Sequence, residues 1–164
     1  KKKKKSAPRT GAATGCNLGA GQLMRWNDCF MDIAQRTSEM SKDPSTKVGA
    51  VLVADRRVVG TGFNGFPEKI GDRRFLLDNR EAKLARMIHA EMNALLYAGR
   101  EAQGSTLYMY GFGAPPCSRC TVHLIQAGVS RVYARGPEVP ERWKEDFDLS
   151  GALLAEADVP FLLI

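Results

Sequence analysis

The chain has 164 residues, 44% of them hydrophobic, and a formal charge of +6 at neutral pH. That length suits one domain with a sizeable core, and no apolar run approaches the roughly 20 residues of a transmembrane helix, which excludes a membrane-spanning role. The charge excludes less than its size suggests: six of the 24 basic residues, Lys1 to Lys5 and Arg9, fall in the first nine, leaving 18 basic against 18 acidic residues.

The basicity therefore belongs to a tail, and from residue 10 onward the chain has no excess charge with which to hold a polyanion. Residues 1–17, small and polar after the lysines, read as disordered, and 18–164 as one folded domain. Residues 1–17 show no apolar stretch of the kind a signal peptide has, so none is expected within them.

Past the tail, Trp26, Phe30, Ile33 and Ala34 recur at i, i+4, i+7 and i+8, one face of a helix over 25–40. Lys42-Asp43-Pro44-Ser45 ends it. Two β-rich runs, 49–54 and 58–63, are joined by Asp55-Arg56-Arg57 and read as an antiparallel hairpin. Residues 64–78 hold charged residues, Pro67, Gly65 and Gly71, and read as a loop. Helical character resumes near Glu81 and runs to Ala98, where Gly99 stops it. A strand at 106–110, a loop at 111–116 and a helix at 117–127 follow, the helix stopped by Gly128. A strand at 131–134, a helix at 141–157 and a strand at 159–163 complete the chain. A strand–helix–strand ending implies a parallel crossover, so the sheet is expected to be mixed in an α/β fold.

Four cysteines and two histidines can be weighed one by one. Cys117 and Cys120 form a Cys-x-x-Cys after Pro116, and His89 and Glu91 sit in His89-Ala90-Glu91. Either fragment alone is weak. Together, His-x-Glu followed by Pro-Cys-x-x-Cys matches the zinc nucleobase-deaminase pattern. Cysteines at i and i+3 share one side of a first helical turn, where the positive helix end favours thiolates. Adding the His89 nitrogen gives three protein ligands and leaves one tetrahedral position open, as a catalytic zinc requires. Glu91, two residues from His89, is placed to handle protons without being a ligand. His123 lies a further turn up the helix, away from that position, and Cys29 reads as core. Cys16 falls in the tail. With two thiols assigned to one zinc, the cysteine usage fits the reducing cytoplasm.

At this point the span 25–164 resembles the deoxycytidylate (dCMP) deaminase family of the cytidine deaminase superfamily. The resemblance rests on Arg25-Trp26, on Ser41-Lys42-Asp43-Pro44-Ser45-Thr46-Lys47-Val48-Gly49-Ala50, and on Gly62-Phe63-Asn64-Gly65-Phe66-Pro67. His89-Ala90-Glu91-Met92-Asn93-Ala94 and Pro116-Cys117-Ser118-Arg119-Cys120 complete it in the expected order. It implies a three-layer α/β/α fold with a five-stranded mixed sheet, antiparallel at its opening hairpin and parallel between its last two strands. It implies hydrolysis of dCMP to dUMP for thymidylate synthesis, with His89, Cys117 and Cys120 on one zinc and Glu91 shuttling protons. It also implies that Ala90 N–H meets the pyrimidine O2, that a carbonyl near Pro115 meets the amino group, and that Asn64 and Gly65 lie at the sugar.

Lys42, Arg73, Arg74 and Arg86 are candidates for holding the phosphate, Arg119 reads instead as a partner of a ligand sulfur or a solvated charge, and Phe66 and Phe112 are candidate partners of the base. Ile88 stands where many members carry a further metal-binding residue, which implies a single zinc per chain. The resemblance further implies a homo-oligomer, with dCTP and dTTP as candidate effectors. A polynucleotide deaminase, such as one acting on tRNA, uses the same chemistry, as would an enzyme for another pyrimidine nucleotide or nucleoside. A non-catalytic zinc module would leave Glu91 without a purpose. The neutral domain favours a small nucleotide, with no nucleic acid required.

Overall fold

The computed structural model describes residues 20–164, with side chains from Arg25 onward. The tail assigned to residues 1–17, and Cys16 within it, lie outside the described residues. Helix α1 (Ala20–Ser38) is followed by strands β1 (Gly49–Ala54) and β2 (Arg57–Phe63). Short helices α2 (Arg74–Asp78) and α3 (Arg80–Leu84) precede α4 (Ala90–Ala98), a 3₁₀ turn at Gly99–Ala102 and strand β3 (Thr106–Tyr110). Helix α5 (Ser118–Gln126), strand β4 (Arg131–Arg135), a 3₁₀ turn at Glu141–Trp143, helix α6 (Lys144–Glu156) and strand β5 (Phe161–Leu163) end the chain.

The five strands form one mixed sheet in the order β2-β1-β3-β4-β5. β1 runs antiparallel to β2 and β3, while β3–β4 and β4–β5 are parallel; the opening hairpin, the parallel final pair and the mixed sheet are as expected. Alternation along the strands divides the core between two faces. Val51 and Val53 of β1, Tyr108 of β3 and Tyr133 of β4 pack with Phe30, Met31 and Ala34 of α1. Ala50, Leu52, Leu107, Met109, Val132 and Ala134 point the other way, against Ala90, Ala94 and Ala98 of α4, Leu124 of α5 and Leu154 of α6. Both faces are covered, so the architecture is three-layered.

Helix α4 lies close to β2 because glycine admits it. A Cβ on Gly62 would stand 2.2 Å from the Ala90 carbonyl oxygen and 2.4 Å from the Ala94 nitrogen, both backbone atoms of α4. β2 thus seats the N-terminal half of α4 by backbone contact, and with it whatever that helix end carries.

Three segments depart from the sequence reading. The helix expected without interruption over 81–98 is broken between Leu84 and Ala90, and the loop expected over 64–78 contains α2. The break has a tertiary cause: the Ile88 amide donates to Gly65 O at 2.9 Å, and its carbonyl accepts from Gly65 N at 3.1 Å. These two bonds draw Ile88 into an isolated antiparallel bridge with the strand side and override local helix propensity. α3 instead has its own start, with Asn79 Oδ1 accepting from Ala82 N at 2.9 Å. The final strand begins at Phe161 rather than at 159, since Pro160 has no N–H to donate.

Candidate active site

The bridge that breaks the helix also builds the site. Ile88 is fixed to Gly65, so His89 becomes the N-cap of α4 and Glu91 falls in that helix's first turn. Asn93 secures the same helix by donating from Nδ2 to Phe63 O at 2.8 Å. Opposite stands the start of α5, where Cys117 is the N-cap and Cys120 is buried in the first turn. Two helix N-termini therefore converge on one point, and both favour anionic ligands there.

His89 Nδ1 lies 3.3 Å from Cys117 Sγ and 3.4 Å from Cys120 Sγ. A tetrahedral zinc with nitrogen at about 2.1 Å and sulfur at about 2.3 Å separates those two atoms by about 3.6 Å. The donor set fits zinc in kind and in size. All three donor atoms lie within 4.8 Å of one another, and three ligands leave the fourth position open.

The electrostatics follow from this crowding. The Cys117 thiol is pulled down to about 4 by its hydrogen bond with Cys120, helped by His89 and opposed by burial. His89 is raised to about 9 by its hydrogen bond to Cys117, with burial opposing and the charges of Glu91 and Cys117 assisting. Cys120 is pushed up by its bond to Cys117 and by burial. One thiolate is thus held among protons that a cation would displace. Glu91 is buried, and desolvation raises its carboxyl above the ordinary range against the opposing pull of His89. A carboxyl so placed can hold a proton and pass it on.

The remaining expected residues fall into different situations. Asn64 is buried and its amide is engaged at both ends: Oδ1 accepts from Val48 N at 2.8 Å and Nδ2 donates to Thr46 O at 2.9 Å. Gly65 acts through its backbone, on Ile88. Ala90 is fully buried at the first position of α4, where its N–H has no intrahelical partner. Pro115 lies half-buried just before the cysteine turn. Lys42 is exposed and pairs with Asp72 at 2.9 Å. Arg74 pairs with Asp78 and Arg86 donates to Ala82 O, both locally, and Arg119 is exposed. Phe112 packs on Trp143 and Phe147. His123 is exposed with Nδ1 2.6 Å from Arg119 O, apart from the donor triad. Cys29 is exposed rather than core.

Sequence reasoning missed a buried ion pair beside the site. Lys83 Nζ lies 2.8 Å from Asp43 Oδ1 and 3.2 Å from Ser45 Oγ. Asp43 Oδ1 also accepts from Ser45 N at 2.7 Å and Thr46 N at 3.2 Å. Ser41 Oγ donates to Asn64 O at 2.8 Å, so α3 is moored to the loop that grips Asn64. The Asp43-Pro44-Ser45 turn was visible in the sequence, but nothing in a lone lysine marks it as buried.

A family model for the cytidine and deoxycytidylate deaminase zinc-binding region matches residues 24–135. The chain belongs to that family. It is a hydrolytic deaminase with a zinc-binding region, built on the family's fold. An uncharacterized deaminase from the luxG 3' region of Aliivibrio fischeri is 38% identical over 141 residues, covering 84% of this chain and 92% of that protein. The deoxycytidylate deaminase of Mus musculus is 34% identical over 116 residues, 66% of this chain and 64% of its own length. The alignment with the deoxycytidylate deaminases of mouse and human thus spans less than two thirds of their length. Among solved structures, the dCMP deaminase of cyanophage S-TIM5, in complex with dCMP and dUMP, superposes with a TM-score of 0.66 at 26% identity. That match covers 85% of this deaminase and 97% of the phage chain. No helix among the described residues of the deaminase is long and apolar enough to cross a membrane.

Proposed function

We propose that this chain deaminates dCMP to dUMP, with zinc held by His89, Cys117 and Cys120 and with Glu91 as the proton carrier. The observation that carries the reading is one nitrogen 3.3–3.4 Å from each of two sulfurs, with a buried carboxyl two residues from the nitrogen. Deoxycytidylate deaminase relatives and the S-TIM5 enzyme support the choice of nucleotide.

When bound, the zinc supplies Lewis acidity toward water. Glu91 accepts a proton from that water and delivers it to N3 of the pyrimidine as the C4–O bond forms. It then takes the proton of the new C4 hydroxyl and passes it to the amine, the C4–N bond breaks, and ammonia and the uracil product leave. Water and the amidine together balance these products. The Ala90 N–H donates to the pyrimidine O2 and the Pro115 carbonyl accepts from the amino group. Asn64 and Gly65 shape the sugar side through the backbone they hold, and Lys42 meets the phosphate by exchanging its contact with Asp72.

Ammonia release from cytosine, cytidine, CMP, dCMP, dCTP and single-stranded oligonucleotides tests the reading. Turnover is expected with dCMP ahead of the nucleoside and free base. Turnover of oligonucleotide without dCMP would overturn it.

A further inference from the structure

The two cysteines are held from outside their own helix. A helix start leaves its first amide hydrogens without partners, and in α5 the first of these belongs to Ser118, between the cysteines. That amide donates to Asp146 Oδ2 at 3.0 Å, and Ser118 Oγ donates to Asp146 Oδ1 at 2.5 Å. Asp146 comes from the first turn of α6, so its carboxylate caps a neighbouring helix and also stands at the positive end of its own. One turn further along α6, buried Ser150 Oγ lies 2.7 Å from buried Thr121 Oγ1, which in turn reaches Pro116 O at 3.4 Å. The carbonyl before Cys117 and the amide after it are therefore both tied to α6.

We propose that Asp146 is a positioning residue for the metal centre: by holding Ser118 it fixes the backbone turn that aims the Cys117 and Cys120 sulfurs at one point. The proposal rests on the assignment of those sulfurs as ligands. Its basis is hydrogen bonding rather than charge. An asparagine of the same shape can accept from Ser118 N through Oδ1 and donate to Ser118 Oγ through Nδ2, whereas alanine can do neither.

The test uses the cobalt-substituted full-length protein, compared as wild type, Asp146→Ala and Asp146→Asn. It reads the thiolate-to-cobalt absorption, the visible ligand-field bands and the rate of cobalt release to a chelator. Asp146→Ala is expected to shift the ligand-field bands and speed release at least tenfold, while Asp146→Asn stays within threefold of wild type. Melting temperatures are read in parallel, because a merely structural role lowers them without moving the bands. Bands and release unchanged in Asp146→Ala overturn the proposal, whatever its melting temperature. Equal losses in the two variants overturn it as well, since charge would then be the cause. Absence of any thiolate–cobalt absorption in the wild type is a different result: it removes the ligand assignment, and the proposal with it.

Discussion

Replacing Lys83 by methionine tests how firmly the loop around the site is moored. The lysine and Asp43 are 8% and 7% exposed and 2.8 Å apart, a distance at which removal of one charge leaves the other without compensation. Breaking a buried pair from one side costs about 3–5 kcal/mol. Asp43 would keep two amide donors, from Ser45 and Thr46, which places the expected loss near the lower end, at about 3 kcal/mol. Against a domain stability of about 5–15 kcal/mol this is large. Urea unfolding at neutral pH measures it, as a lower midpoint at unchanged slope. Adding Asp43→Asn to Lys83→Met should recover part of the loss, with a coupling of at least about 2 kcal/mol in the double-mutant cycle. A loss under about 1 kcal/mol, with no coupling, would show the pair behaving like a surface contact and would refute the mooring argument.

Glu91→Gln should retain stoichiometric zinc and lower kcat by about 10²–10⁴; metal analysis and steady-state kinetics check it, and undiminished turnover contradicts the proton-carrier role. Gly62→Ala forces the backbone of α4 away from β2, at a cost of about 1–3 kcal/mol. Because that helix end carries His89 and Glu91, kcat/KM should fall by about 100-fold, and wild-type kinetics would show that the contact does not position the site. Lys42→Ala should raise KM for dCMP by about tenfold while leaving cytidine turnover as it was; an unchanged KM removes Lys42 from the phosphate. Tyr108, whose hydroxyl donates to Asn27 at 2.7 Å, is pushed up to about 12, chiefly by burial. An unfolded tyrosine ionises near pH 10, so this share of stability is complete below about pH 10. It falls by up to about 2 kcal/mol as pH rises to about 12. Unfolding of Tyr108→Phe across that range should lack this share of the slope, and identical slopes would contradict it.

Much of the fold is legible because local pattern and tertiary demand agree. Phe30 and Ala34 announce the buried side of α1, and β1 and β3 stand where the sequence holds short apolar, β-rich runs. Legibility fails where a distant backbone decides. Residues 81–98 have helical composition, yet the Gly65–Ile88 bridge extends the chain there and hands the N-cap to His89. The His-x-Glu and Cys-x-x-Cys spacings revealed the donor set because a metal site constrains residue type and separation together. Lys83 and Asp146 act through contacts 40 and 28 residues away, and their residue types on exposed-looking helices gave no sign of it. Asn64 was visible as a residue, but the double engagement of its amide was not.

The convergence of α4 and α5 has a mechanical side. His89 hangs on the antiparallel half of the sheet through Gly65 and Phe63, while the cysteine turn hangs on the parallel half through α6. A metal ligated by both is a staple across the seam between them, closing a loop of 28 residues between His89 and Cys117. A metal that binds the folded site and not the unfolded chain stabilises the fold by its binding free energy. Stripping the metal would then do more than silence the chemistry: it would remove the tie between the starts of α4 and α5, and the resistance of the protein to heat would follow the supply of zinc.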